Sequence, residues 1–169
     1  MIEEYKKLIE KASFLKKENR LFLEKLKKVP AKELDKMTNQ FHQEAFEKID
    51  CLQCANCCTT TSPLLKERDI DRLSKHFKLK PGAFTEKYVV IDEDNDYVFN
   101  SVPCPFLQED KCCSIYSERP HSCKTYPHTD QEKIHSILYI TNRNLTICPA
   151  VVVVVDKLKA ALKRDEVKK

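Results

Sequence analysis

"CLQCANCC", residues Cys51 to Cys58, places four cysteines within eight residues, the last two adjacent. Thiolates crowded together repel one another unless a cation neutralises them, so this C-x2-C-x2-C-C pattern points to a metal. A two-residue gap forms a turn that lets both sulfurs of a pair face one ion, at about 2.3 Å each if the ion is zinc. Adjacent side chains usually diverge. Cys57 and Cys58 are therefore expected either to point to different sites or to straddle one polynuclear cluster.

Five more cysteines follow: Cys104, Cys112, Cys113, Cys123 and Cys148. Nine thiols are enough for two four-coordinate sites with one to spare. The spacing of Cys51, Cys54 and Cys57 also imitates the C-x2-C-x2-C run of bacterial ferredoxins, with the fourth ligand left to a distant segment. Cys104 and Cys148 are each followed by Pro, as is the last cysteine of that run. An odd count with two adjacent pairs, Cys57–Cys58 and Cys112–Cys113, suits a disulfide framework poorly. The N-terminus "MIEEYKKLIEKASF" carries acids and no apolar run, so it does not read as a signal peptide. The expected compartment is the reducing cytoplasm, where disulfides rarely persist.

A chain of 169 residues reads as one domain with a helical arm. One third of the residues are charged, and mean hydropathy is −0.52, as in ordinary soluble proteins. The single glycine, Gly82, excludes glycine-rich phosphate-binding loops. A net charge of +4 with Lys and Glu alternating fits a solvated surface, and no nucleic-acid partner is expected. The one strongly apolar run, "PAVVVVV", is too short to span a bilayer, and no membrane partner is expected.

Ile2, Tyr5, Leu8, Ile9, Ala12, Phe14 and Leu15, then Leu21, Phe22, Leu26 and Val29, recur at helical spacing. Pro30 breaks this run and opens a second helix toward Ile49. The two form a helical hairpin whose apolar faces require a partner, either the cysteine domain or another subunit. His42 on this arm reads as a surface residue, because no second ligand lies one turn away. "SPLLKERDIDRLSKHF" predicts a helix capped by Ser62 with Pro63 at its first position. "KPGAFTEKYV" predicts a short helix leading into a hairpin, Val89–Ile91 against Tyr97–Phe99 across a polar "DEDND" turn. Asp92, Glu93, Asp94 and Asp96 lack the glycine and terminal Glu of a calcium loop and read as turn residues. "KIHSILYITNRNLTICP" reads as strand-like. Five valines favour strand by propensity. Pro149 and "DKLKAALKRDE" nevertheless predict a C-terminal helix with Val151, Val155, Leu158 and Leu162 on one face.

"CLQCANCC", "PCPFLQEDKCCSIYSERPHSCKTYP" and the late "CP" together resemble the YkgJ-type cysteine-cluster family, described as a zinc- or iron-chelating domain. The resemblance covers roughly residues 50 to 160. It implies an eight-cysteine ligand set comprising Cys51, Cys54, Cys57, Cys58, Cys104, Cys113, Cys123 and Cys148. Cys113 fits because the family reads cysteine just before "SIY", which leaves Cys112 as the extra thiol. Where the family has Gly between the second and third cysteines, this chain has Ala55 and Asn56, and Asn is the more tolerant of a left-handed turn. Tyr116 and Arg119 match family positions, and Arg119 would either donate hydrogen bonds to thiolates or pair with a carboxylate. His121 and His128 lie near Cys123 as reserve ligands that eight thiols make unnecessary, and Lys124 and Tyr126 would cover the cluster. A related cluster occurs in flagellin lysine methylases, which implies S-adenosylmethionine-dependent methyl transfer as an alternative activity. No catalytic residues are assigned.

The expected architecture is mainly α with a small β-hairpin: an N-terminal helical arm (1–49), a loop-rich, metal-stabilised cysteine-cluster domain (50–163) and a frayed tail (164–169). The expected cofactor is zinc or iron, with an iron–sulfur cluster as one form of the latter. The functions weighed are structural or metal-handling chelation, and iron–sulfur electron transfer or redox sensing. The N-terminal helices are the expected surface for a protein partner or self-association.

Overall fold

A computed structural model describes the backbone of residues 1–167 and the side chains of residues 1–163. In chain order the elements are α1 (Glu3–Phe14), α2 (Lys16–Leu26), α3 (Ala31–Phe46), α4 (Cys51–Cys54), α5 (Asn56–Thr60), α6 (Glu67–His76) and α7 (Pro81–Tyr88). Strands β1 (Val89–Ile91) and β2 (Tyr97–Phe99) follow, then α8 (His121–Thr125), a 3-10 turn (Ile134–Ile137), α9 (Leu138–Asn144) and α10 (Pro149–Val167). The fold is mostly α with one small antiparallel hairpin, as the sequence leads one to expect. Lys168 and Lys169, the end of the expected frayed tail, lie outside the described residues. The chain forms two compact units, one from Met1–Cys54 with Pro127–Lys169, the other Ala55–Tyr126.

The first unit is a helical assembly around α10. Valine after Pro149 becomes helical because tertiary burial outweighs its strand propensity. Ala150, Val151, Val152, Val154, Val155 and Leu158 are buried, and α1 and α3 lie against this face. Leu26, Leu34 and Ala45 contribute fully buried side chains from the N-terminal helices. The hairpin's apolar faces thus meet the C-terminal helix of the same chain.

The expected single helix up to Val29 is two helices. The chain breaks at Leu15, and Phe14, expected on the apolar stripe, is 90% exposed. A buried asparagine holds the bend: Asn19 Nδ2 donates to the Ala12 carbonyl (3.1 Å), and its Oδ1 accepts from Lys159 Nζ (2.7 Å). "KIHSILYITNRN", expected as strand-like, is the 3-10 turn followed by α9. Ile134, Leu138, Thr141 and Leu145 recur at helical spacing and are buried, so packing fixed by that period overrides the β-branched composition. His42 is half-buried rather than a surface residue. Its Nδ1 lies 2.8 Å from the hydroxyl of fully buried Thr129, and its ring lies against Phe46 at 4.6 Å.

The second unit has its own apolar core of Leu65, Ile70, Leu73, Phe84, Val89, Phe99, Phe106 and Ile115. The rings of Phe77, Tyr88, Phe99 and Phe106 pack together, with Phe77–Phe106 at 5.3 Å and Phe99–Phe106 at 5.0 Å. The hairpin joins the two segments expected to face one another, pairing Val89 with Phe99, Val90 with Val98 and Ile91 with Tyr97. Its turn closes on the Asp92 carboxylate, which accepts the amides of Asp94 and Asp96, with Asn95 left-handed at φ 64°. The helix expected from Ser62 begins later, at Glu67. Leu64 bridges to Val98, and Ser62 Oγ donates to the Phe99 carbonyl, so residues 62–65 run along β2 instead. The backbone groups that a cap at Ser62 would have satisfied are taken by the strand.

Among the described residues, six that carry side chains adopt positive φ: Ala55, Lys78, Asn95, Lys111, His128 and Lys133. The only glycine, Gly82, does not. A left-handed non-glycine residue costs roughly 1–2 kcal/mol.

Replacing Asn19 with Ala removes a buried donor and acceptor at the bend and should lower unfolding stability by about 1–3 kcal/mol. Phe14→Ala at the exposed position beside it should change stability by less than about 0.5 kcal/mol. Equilibrium urea unfolding of the two variants checks the contrast; equal effects would contradict the role given to Asn19.

Candidate metal centre

The first two cysteines of the octet share one helical turn, α4, three residues apart on one face. Cys51 is exposed and Cys54 is buried. Ala55 then turns left-handed (φ 48°) and opens α5, which carries Cys57 and Cys58. The left-handed place is thus Ala55 and not the more tolerant Asn56, whose carbonyl accepts the hydroxyls of Thr59 and Thr60. The sulfurs of Cys57 and Cys58 are 3.9 Å apart, so these adjacent side chains do not diverge.

Within the Ala55–Tyr126 unit, backbone bonds link the segments of Cys58, Cys104 and Cys113, and a side-chain bond anchors the helix of Cys123. The Cys104 amide donates to the Cys58 carbonyl at 2.8 Å. The Leu107 amide donates to the Cys104 carbonyl, and Leu107 bridges to Cys113. Cys104 and Cys113 both rest against the aromatic core. Cys123 lies on α8, where Ser122 Oγ donates to the Leu64 carbonyl at 2.7 Å.

The electrostatics of these thiols record their proximity. Burial pushes Cys104 up to about 11, with the Cys58 and Cys113 sulfurs adding to the rise. Burial pushes Cys123 up to about 12, reinforced by Cys58, Cys104 and Cys113 and offset in part by Arg119. Cys113 is raised by burial and by Cys58, against the Ile115 amide and Arg119. Cys58 is the exception: its hydrogen bond with the Cys57 thiol lowers it to about 7 against the opposing effect of burial.

A second association lies in the other unit. Cys148 sits at the start of α10, pushed up to about 12 by burial and raised further by Cys51 and Cys54, while the Val151 and Ala150 amides act in the opposite sense. Cys112, the expected extra thiol, has the Asp110 carboxylate as its charged neighbour, and its pKa is raised by burial and that anion. As the sulfurs stand, no three His, Cys, Asp or Glu side chains among the described residues converge closely enough to grip an ion. No cysteine among the described residues is in a disulfide. The donor set itself, several thiols, most of them half-buried, that repel one another once ionised, is chemically suited to zinc or iron.

Arg119 pairs with no carboxylate among the described residues. Its guanidinium stacks on the Tyr116 ring at 3.9 Å, and its Nη1 donates to the Tyr116 carbonyl at 2.6 Å. From there its charge lowers Cys113 and Cys123.

Sequence reasoning missed Asp69 and Arg72. Asp69 is fully buried, and its carboxylate accepts the amides of Lys66 (3.1 Å) and His121 (3.2 Å) and the Arg72 guanidinium (2.9 Å). Burial opposes its ionisation, but these donors win and hold its pKa below the ordinary carboxylate value. The same Arg72 nitrogen reaches the carbonyls of Glu118 and Arg119 at 3.2 and 3.1 Å, and its Nε lies 3.3 Å from Glu118 Oε2. The only available signal was an Asp and an Arg three apart on one helix, which does not reveal a partner some fifty residues away.

A cysteine-cluster, metal-chelating class is what this donor set defines. Residues 50–144 match the CxxCxxCC family, described as "Putative zinc- or iron-chelating domain", and the chain belongs to that family. No solved structure matches the chain. No helix among the described residues is long and apolar enough to cross a membrane.

Thiolate is the nucleophile, so reactivity in metal-free protein should follow these pKa differences. At pH 7.5 Cys58 is expected to be alkylated by iodoacetamide ahead of Cys104, Cys123 and Cys148. Raising the pH to 9.5 should narrow the gap. Peptide mass spectrometry after brief alkylation measures the order; Cys123 or Cys148 reacting first would refute it.

Proposed function

We propose that the protein chelates zinc or iron through the eight cysteines Cys51, Cys54, Cys57, Cys58, Cys104, Cys113, Cys123 and Cys148, in a structural or metal-handling role. Within that set, Cys58, Cys104, Cys113 and Cys123 form one four-thiolate centre. The observation that carries this reading is that the backbone ties Cys104 to Cys58 and, through Leu107, to Cys113, with all four thiols half-buried in one unit and the Cys58 sulfur raising the other three. Ionising them together without a cation is unfavourable. With a divalent ion, four thiolates at one point become the favoured state. The sulfurs must close in to coordinate, and the bound ion then fastens the Cys58, Cys104–Cys113 and Cys123 segments to one another.

The residues around the centre have definite parts in this. Arg119 partly neutralises the net negative charge that four thiolates leave on a divalent ion. Cys104 and Cys113 are braced by the aromatic core, so closure requires little backbone movement on that side. Cys58, lowered by its bond with Cys57, ionises most readily, whereas Cys104 and Cys123 must each release a proton as the site closes. Binding is therefore favoured as pH rises through the neutral range.

The second reading, an iron–sulfur protein in electron transfer or redox sensing, rests on Cys51 and Cys54 on one helical turn with Cys148 coupled to both. In sequence Cys57 continues their spacing and Pro149 follows Cys148, the ferredoxin-like features noted above.

Anaerobic purification with metal analysis and a visible spectrum tests both. A colourless protein with stoichiometric zinc supports the first reading, while iron, acid-labile sulfide and absorption at roughly 400 nm support the second. Cys113→Ser should reduce the metal retained, whereas Cys112→Ser should leave it unchanged. The reverse result would reassign the ligand.

A further inference from the structure

We infer that the buried Asp69–Arg72 pair is the positioning device of the four-thiol centre, holding the Glu118–Cys123 segment so that the Cys123 sulfur meets those of Cys58, Cys104 and Cys113. The inference rests on the four-thiolate reading above and adds to it the residues that pre-set the geometry.

Every atom the pair grips on the far side is backbone, apart from the Glu118 carboxylate. Arg72 takes the Glu118 and Arg119 carbonyls, and Asp69 takes the His121 amide, so three backbone groups within four residues are held from α6. Between them Pro120 is fully buried. His121 opens α8, whose first amides have no partner inside the helix, and the residue before it, Pro120, has no side chain able to cap them. Asp69 supplies that cap from a different element. Cys123 follows two residues later on the same helical turn.

Stability alone explains such a pair poorly. Withdrawing a carboxylate from water costs several kcal/mol, and well-packed apolar residues of similar volume often serve as well or better. What an apolar pair cannot do is fix the path of a loop through directed bonds to its peptide groups. The segment held is the one that brings the last ligand to a centre whose other three thiols come from elsewhere in the unit. A misplaced Cys123 would leave a three-thiolate site open to water.

The test uses full-length protein loaded anaerobically with Co2+, whose sulfur-to-metal charge-transfer absorption reports the number of bound thiolates. Asp69→Leu/Arg72→Met removes both members of the pair and leaves the partly exposed Glu118 carboxylate without Arg72. It is expected to lose about a quarter of the charge-transfer intensity per cobalt and to bind Co2+ about tenfold or more weakly than wild type. Arg72→Lys, which keeps the charge but not the guanidinium whose Nη2 takes both carbonyls while its Nε faces Glu118, is expected to fall between the double variant and wild type and decides the matter if the double variant does not fold. Val89→Ala, a core truncation in the same unit, is the control: it should lower Tm while leaving the intensity per cobalt unchanged. Full intensity and affinity in the Asp69/Arg72 variants would overturn the inference, as would an equal loss in Val89→Ala. If wild type itself lacks a four-thiolate spectrum, the reading under Proposed function fails first, and its failure is seen separately from that of the positioning role.

Discussion

Like charge at close range is the constraint on which the second unit turns. Four sulfurs reach one neighbourhood from residues 58, 104, 113 and 123, and burial and mutual repulsion keep three of them protonated well above neutral pH. Proteins normally keep such groups apart or tie them in disulfides. Here the backbone brings them together by ordinary means: an amide bond from Cys104 to Cys58, a bridge from Leu107 to Cys113, a short helix for Cys123. The aromatic core underneath gives the arrangement a floor that exists before any ion arrives. Metal binding on this view completes a fold already largely built, rather than substituting for an absent core.

Much of the fold was legible where a local signal and tertiary packing agree. The apolar segments Val89–Ile91 and Tyr97–Phe99 on either side of an acid-rich turn gave the hairpin. Pro149 and the lysine-rich continuation gave α10 despite five valines. Failures came where two local signals compete and only packing decides. Ser62 and Pro63 look like a helix start, yet their segment is claimed by β2. Ile137, Ile140 and Thr141 favour strand by composition, while the spacing of buried Ile134, Leu138 and Leu145 is helical. The bend at Leu15 has no glycine or proline to announce it. It depends on Asn19 reaching back to Ala12.

The site divides in the same way. That cysteines are the chemistry-bearing residues is plain from their spacing. Their association into Cys58 with Cys104, Cys113 and Cys123, and Cys51 and Cys54 with Cys148, is not, because nothing in a linear pattern tells Cys57 from Cys58 or Cys112 from Cys113 beyond resemblance to relatives. Arg119 was readable as a neighbour of thiolates; that only its charge acts on them, from a perch on Tyr116, was not. Asp69 and Arg72 resemble any surface helix pair until the folded chain puts Glu118 and His121 beside them.

A chain whose sole glycine lies within α7, and whose left-handed corners fall on Ala55, Lys111 and other residues bearing Cβ atoms, has little slack in its loops. Two of those corners come shortly before the adjacent cysteine pairs, Ala55 ahead of Cys57–Cys58 and Lys111 ahead of Cys112–Cys113. Each Cβ narrows the conformations open to the disordered chain, so less entropy remains to be lost when the sulfurs are drawn inward. Stiff corners also restrict which coordination geometries the thiols can reach. An ion tolerant of one fixed tetrahedral arrangement would be accommodated readily, whereas one that demands a larger or more adaptable shell would have to bend a backbone with few joints to spare.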